Sequence, residues 1–77
     1  MSHVRVGVMW DPEVQVFCAN SPDVSGFNIE AETMPELIQE IEEILPEMMR
    51  ENGLKVDKTV DYRIQMSYEG VAHAVEA

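Results

Sequence analysis

Alternating apolar and polar positions predict three consecutive strands in the first half of the chain. The predicted strands are residues 3–10, 14–19 and 27–32. The tight turn Asp11-Pro12-Glu13 joins the first two strands, and the loop 21–26 leads to the third. Because such connections are short, we expect the three strands to lie antiparallel to their neighbours.

The same alternation predicts which side chains share a face of the sheet. The face of the first strand that we assign to the core consists of Val4, Val6, Val8 and Trp10. In the second strand, the side chains that we expect on the same, core-facing side are Val14, Val16 and Cys18. We expect Cys18, the only cysteine, to be a small core residue. The opposite sheet face is then expected to carry Met9, Phe17 and Ala19 among polar side chains.

A repeat of three and four residues predicts one amphipathic helix over residues 34–51. Its apolar stripe consists of Leu37, Ile38, Ile41, Ile44, Leu45 and Met48. Thr33 and Glu36 form the pattern of a capping box at its start, and Asn52-Gly53 is a typical stop. Pro46 falls inside the pattern, so we expect a kink or a division of the helix near Leu45.

Residues 60–68 alternate again and predict a last strand, whereas residues 69–77 have weak patterning and are expected to fray. The 77 residues therefore predict a single domain of class α+β with the order β-β-β-α-β. One helix can cover one face of the sheet. The second, half-apolar face suggests self-association or partner docking, and scattered surface apolar residues are the alternative explanation.

The composition narrows the classes of partner. Fifteen acidic residues against five basic ones give a formal net charge of −10. This charge argues against direct binding to nucleic acid and against adsorption to an anionic membrane. It would attract a basic protein partner, although it also serves plain solubility. The first ten residues lack the core of a signal peptide, and no apolar run is long enough for a membrane span, so we expect a cytoplasmic protein.

Candidate chemistry is sparse. His3 and His73 lie seventy residues apart with no ligand at metal-binding spacing, so we expect no metal and no cofactor. Asp11, Asp23 and Glu30 are the candidates for a divalent-metal nuclease site. Two of them occupy ordinary turn positions and the third alternates outward on a strand, which favours a structural interpretation. We therefore expect no catalytic residues.

Several motifs in a fixed order resemble the short HicB-like proteins. They are Trp10-Asp11-Pro12-Glu13, residues 21–27 (SPDVSGF), residues 30–33 (EAET) with Leu37, residues 44–47 (ILPE), and Asn52. The resemblance covers residues 4–68. It implies a partial ribonuclease-H-like fold, in which the last strand lies parallel to the first. The sheet would then be a four-stranded mixed sheet of order 3-2-1-4, with one helix packed on one face.

The same resemblance implies a function. HicB-like domains are the antitoxin half of type II toxin–antitoxin pairs, and the partner is a small basic HicA-type toxin that cleaves mRNA. It also implies a homodimer or a higher homo-oligomer. Antitoxins of this family often add a carboxy-terminal DNA-binding domain, to which nothing in residues 69–77 corresponds.

The residues that we expect to contact the partner are acidic helix residues, one sheet residue and one loop residue. They are Glu36, Glu40, Glu43, Glu47, Phe17 and Asp23. Two alternatives stay open. One is an orphan domain that only dimerises or binds a small ligand, and the other is a metal-dependent nuclease of ribonuclease-H type.

Overall fold

Four strands and one helix follow one another in the order β-β-β-α-β in the computed structural model, which describes residues 3–75. The elements are β1 (Val4–Asp11), β2 (Val16–Asn20), β3 (Asn28–Ala31), α1 (Met34–Glu51) and β4 (Tyr62–Ser67). The sheet has the order β3-β2-β1-β4, with β4 parallel to β1 and the other neighbours antiparallel. The predicted fold class, element order and strand order are confirmed.

The core lies between the sheet and a single stripe of α1. Leu37, Ile41, Leu45 and Met49 recur every four residues along the helix and are buried. The strands and the loop before β3 contribute the other buried side chains, which are Val6, Val8, Ala19, Val24, Phe27 and Ile29. Each large aliphatic side chain buried in this way stabilises the fold by roughly 1.5–3 kcal/mol. The backbone of α1 lies over β3 and β2.

The turn between β1 and β2 is longer than the sequence predicted, and it decides which face of β2 is buried. Gln15 adopts a φ of 57°, and its N–H donates to the carbonyl of Asp11 at 2.8 Å. Val14 belongs to this turn and is 61% exposed, so β2 begins only at Val16. The predicted second strand, residues 14–19, is thus wrong at both ends.

This turn places Phe17 opposite Trp10 and Ala19 opposite Val8, on the side of the sheet that α1 covers. Ala19 is fully buried there. Cys18 lies opposite Met9 on the uncovered face and is only half-buried. The predictions that Cys18 is a core residue and that Phe17 and Ala19 lie on the open face are therefore wrong.

Both ends of α1 use side-chain and backbone caps. The Oγ1 of Thr33 accepts a hydrogen bond from the N–H of Glu36 at 3.3 Å, as the capping box predicts. At the other end, Gly53 has a φ of 75°, and its N–H and that of Leu54 donate back to carbonyls of the last turn. This is a Schellman motif, for which glycine is the favoured residue.

Pro46 does not divide the helix, which runs without interruption from Met34 to Glu51. Of the two outcomes expected near Leu45, a kink or a division, the division is therefore wrong. Leu45 and Met49 are buried on either side of the proline and hold both halves of α1 on the sheet. Their packing outweighs the loss of one backbone hydrogen bond.

The carboxy-terminal part of the described chain leaves the sheet. β4 is shorter than the predicted strand 60–68, and Met66 near its end is 47% exposed. Residues 68–75 have no regular secondary structure and are exposed. The last two residues of the predicted tail, 76 and 77, lie outside the described residues.

No helix in the described part of the chain is long and apolar enough to cross a membrane.

Candidate functional site

A groove of about 470 Å³ runs between α1 and β3, which is an outer strand of the sheet. We call it the acidic groove. Its lining consists of Glu30, Ala31, Glu32, Glu36, Gln39, Glu40 and Glu43. Five of these seven residues are glutamates. All five basic residues of the chain lie within the described residues, and none of them lines the groove.

The groove glutamates come from two elements, and the carboxylate of Glu30 does not point toward the others, because it contacts Cys18 on the face of the sheet that α1 leaves uncovered. Glu30 and Glu32 lie at and just beyond the end of β3, immediately before the helix begins at Met34. Residues 36, 40 and 43 follow at intervals of four and three, so they share one face of the helix. The hydroxyl of Thr33 donates to Oε1 of Glu36 at 3.0 Å and orients that carboxylate at the helix start.

One carboxylate oxygen in the lining has no hydrogen-bond partner. Oε2 of Glu40 is shielded from solvent and accepts no hydrogen bond, and it is the one such side-chain atom among residues 3–75. Shielding one oxygen of a carboxylate from water without giving it a donor is unfavourable for the free protein. The groove therefore contains a carboxylate whose charge the rest of the chain does not fully compensate.

Repulsion between neighbouring glutamates adds to this cost. Glu36 and Glu40 are four residues apart, Glu40 and Glu43 three, and Glu43 and Glu47 four. Each like-charged pair at such a spacing destabilises a helix by roughly 0.2–0.5 kcal/mol. The acidic face of α1 is therefore unfavourable for the stability of the free protein.

The predicted contact residues do not form one cluster: four lie on α1, Phe17 lies on β2, and Asp23 lies in the loop before β3. Glu36, Glu40 and Glu43 line the acidic groove, and Glu47 is exposed beyond it on the same helix. Phe17 lies opposite Ala31 of the groove lining. Its half-buried ring packs at a centroid distance of 4.7 Å from that of Trp10.

Asp23 lies apart from the acidic groove, in an ion pair with Arg5. Oδ1 of Asp23 is 2.7 Å from Nη2 of Arg5, and Oδ2 accepts from the backbone N–H of Arg5 at 2.8 Å. The hydrogen bonds from Arg5 lower the pKa of Asp23 to about 2. Asp23 thus ties the loop 21–26 to β1, and the structure does not bring it together with the glutamates of α1.

The three carboxylates considered for a metal site do not converge. Asp11 ends β1, whereas Asp23 pairs with Arg5, six residues earlier on the same strand and so about 20 Å away. Glu30 lies on β3 and accepts a weak hydrogen bond from Sγ of Cys18 at 3.8 Å. Within residues 3–75, no three or more His, Cys, Asp or Glu side chains form a group suited to a metal ion.

Cys18 has the surroundings of an unreactive thiol. Burial raises its pKa, and the charges of Glu30 and Asp11 raise it further. A raised pKa keeps the thiol protonated, whereas nucleophilic cysteines need a lowered one.

Sequence reasoning missed Glu32 and Gln39 as groove residues and considered Glu30 only as a metal ligand. The capping box at Thr33 carried the missing signal, because residues just before a helix cap lie beside its first turns. That the groove lies at an outer edge of the sheet also depends on the strand order, which places β3 at the end of the sheet.

Comparison with known proteins identifies a structural relative. The crystal structure of the hypothetical protein TTHA1013, from the extremely thermophilic bacterium Thermus thermophilus, resembles this chain with a TM-score of 0.78. The two sequences are 32% identical, and the match covers 92% of this chain and 100% of that one. No curated protein matches the sequence.

The sequence model of one protein family matches residues 3–73, which include every strand and the helix. That family is described as a domain of unknown function, DUF1902. Since the match extends over nearly the whole chain, this protein belongs to the DUF1902 family.

Proposed function

We propose that this protein is a non-catalytic interaction domain that binds a basic protein through the acidic groove. Five glutamates line the groove, none of the five basic residues does, and the net charge of the chain is −10. Such a field steers a basic partner toward the surface and raises the rate of association.

The observation that carries the proposal is the unpartnered Oε2 of Glu40. An arginine or lysine side chain of a partner that enters the groove would offset the uncompensated charge of the Glu40 carboxylate. It would also neutralise part of the repulsion among Glu36, Glu40 and Glu43. Binding thus relieves two unfavourable features of the free protein.

The outer edge of β3 adds backbone recognition to this charge. β3 is hydrogen-bonded to β2 on one side and is the last strand of the sheet on the other. An outer strand offers unpaired N–H and C=O groups to which an extended segment can be added. A basic extended segment beside β3 would lie directly above the glutamates of the groove.

The resemblance to HicB-like proteins supports a more specific version of the proposal. On this account the partner is a small basic HicA-type toxin that cleaves mRNA, and this protein is its cytoplasmic antitoxin. The acidic groove would neutralise the toxin by covering the basic surface with which the toxin binds RNA. Recognition of phosphates requires such a surface.

Co-expression tests this function. The protein would be produced together with the HicA-like protein encoded beside its gene, and the mixture separated by size exclusion at moderate salt. We expect one complex containing both chains and loss of the toxin's RNA cleavage in that fraction. Separate elution of the two chains, or a complex that still cleaves RNA, would contradict the proposal, as would a neighbourhood that encodes no such protein.

A further inference from the structure

A shallow depression of about 190 Å³ lies around Gly7 in β1, on the face of the sheet that α1 leaves uncovered. Because Val6 and Val8 are buried in the core, Gly7 between them faces the other way. Asn20 of β2 and Gln65 of β4 lie opposite Gly7 on its two sides. Since glycine has no side chain, a gap remains between these two carboxamide groups. A Cβ atom at Gly7 would lie only 3.2 Å from Oδ1 of Asn20, so the depression depends on this glycine.

Two of the three arginines of the chain lie beside the depression. Arg5 and Arg63 occupy directly opposite positions on β1 and β4, two residues before Gly7 and Gln65 on the same face of the sheet. Two residues of a strand span about 7 Å, a distance that an extended arginine side chain can bridge. Like charges at directly opposite positions of a sheet repel each other. An anion bound beside them would therefore relieve an unfavourable feature of the free protein.

Asp23 determines how much of this positive charge is available. Its carboxylate accepts hydrogen bonds from Nε and Nη2 of Arg5 at 3.2 and 2.7 Å, so Arg5 is already neutralised. Arg63 forms no ion pair with any residue from 3 to 75. Asp61 precedes β4 and lies on the far side of Arg63 from the depression. The charge available beside the depression is thus that of one guanidinium group, which pairs well with one carboxylate.

The net charge of the chain excludes more highly charged ligands. A phosphate monoester carries about −1.5 to −2 at pH 7, which exceeds the single charge of Arg63. In a protein of net charge −10, the excess negative charge of such a ligand would be repelled. A monocarboxylate has no such excess.

The size and the lining of the depression restrict the rest of the ligand. Clefts for drug-sized molecules have volumes of roughly 300–1,000 Å³, so this depression suits a molecule of only a few heavy atoms. The carboxamides of Asn20 and Gln65 and the hydroxyl of Ser67 line it, and each of these groups can both donate and accept hydrogen bonds. Met9 adds an apolar contact for a short carbon chain.

We propose that this depression and Arg63 bind a small hydroxylated monocarboxylate. The carboxylate pairs with the guanidinium of Arg63, and the hydroxyl exchanges hydrogen bonds with Asn20 and Gln65. The acidic groove lies between α1 and β3, whereas this site lies on the face of the sheet away from α1. The inference is therefore independent of the proposed basic partner.

Titration of the isotope-labelled full chain with lactate, followed by NMR chemical shifts, tests the proposal. Lactate carries both proposed groups, and lactamide is a neutral molecule of nearly the same shape. We expect saturable shifts at the residues around Gly7, with a Kd of about 1 mM for lactate. Lactamide and inorganic phosphate should each bind at least tenfold more weakly.

Three variants locate the site. Arg63→Gln should weaken lactate binding at least tenfold, whereas Lys58→Gln, which removes one positive charge outside the depression, should leave it unchanged. Gly7→Ala should also weaken binding, because its Cβ narrows the gap beside Asn20. Circular dichroism would verify that each variant is folded, and Arg63→Gln decides alone if Gly7→Ala unfolds.

Three results would overturn the proposal. The first is the absence of saturable shifts with lactate, and the second is equal binding of lactamide. The third is an affinity for lactate that Arg63→Gln leaves unchanged or that Lys58→Gln lowers as much, since lactate would then bind without regard to the depression.

Discussion

Replacing Glu40 by glutamine should stabilise the free protein and weaken its complex. The substitution keeps the size and the helix propensity of the side chain, since the two residues are nearly equal in that respect. It removes a charge whose Oε2 has no hydrogen-bond partner and which faces two like charges, Glu36 and Glu43. The same charge is the one that we propose a basic partner recognises, so the two effects have opposite signs.

The expected gain follows from the two helix neighbours. Removing two like-charged pairs at roughly 0.2–0.5 kcal/mol each raises the free energy of unfolding by about 0.4–1 kcal/mol. For a domain of this size, 1 kcal/mol corresponds to roughly 4–8 °C in Tm. Glu40→Gln should therefore raise Tm by about 2–8 °C at low ionic strength. Part of the increase should disappear in high salt, which screens exposed charges.

Thermal denaturation followed by circular dichroism measures this change. Asp57→Asn is the matched control, because it removes one charge from a residue outside the acidic groove. Its effect should stay within about 0.5 kcal/mol, as for ordinary surface substitutions. A Tm for Glu40→Gln that falls, or that rises no more than that of the control, would refute the reasoning about the groove.

Two further predictions concern pKa values. Arg5 holds the pKa of Asp23 at about 2 instead of 3.8, so the stability that this pair contributes should be complete above about pH 4 and lost as the pH falls toward 2. A carbon NMR titration of Asp23 should show a midpoint at about 2. The substitution Arg5→Ala should move that midpoint back toward 3.8. Burial and the hydrogen bond to Glu42 raise the pKa of Tyr62 to about 12, so the stability that the Tyr62 hydroxyl contributes should be lost between about pH 10 and 12. In a Tyr68→Phe background, the absorbance of tyrosinate should report the titration midpoint of Tyr62. An unchanged midpoint in Glu42→Gln would contradict the role of that hydrogen bond.

The sequence predicted those features of the fold that depend on local periodicity. The repeat from Leu37 to Met48 located α1 correctly from Met34 to Glu51, because a long amphipathic stripe has one favourable way to pack. The capping residues fixed its ends. The strand order needed the family resemblance, since short strands alone do not determine which edges pair.

The predictions failed where a turn decides the outcome. The left-handed conformation of Gln15 lengthens the turn after β1, and the segment Glu13-Val14-Gln15-Val16 contains no glycine or asparagine that would predict it. A change in the turn alters which face of the next strand is buried, so Phe17 and Cys18 exchanged their predicted environments.

The candidate site was predicted only in part, and the part that was predicted depends on local spacing along the helix. The spacing of Glu36, Glu40 and Glu43 already placed them on one helix face. That Glu32 also lines the acidic groove could not be predicted without knowing that β3 is an outer strand of the sheet. The separation of Asp23 from the groove arises from its ion pair with Arg5, eighteen residues away in the chain, which no local pattern indicates.

The most direct test of the central claim is the affinity of a triple variant for the proposed partner, a basic HicA-like protein, measured by titration calorimetry. The variant Glu36→Gln/Glu40→Gln/Glu43→Gln removes three charges from the acidic groove. Its matched control removes three charges elsewhere, by Glu51→Gln/Asp57→Asn/Asp61→Asn. The account predicts at least a hundredfold loss of affinity for the first and less than a tenfold loss for the second, corresponding to at least about 2.7 and less than about 1.4 kcal/mol. Equal losses for the two variants would contradict it.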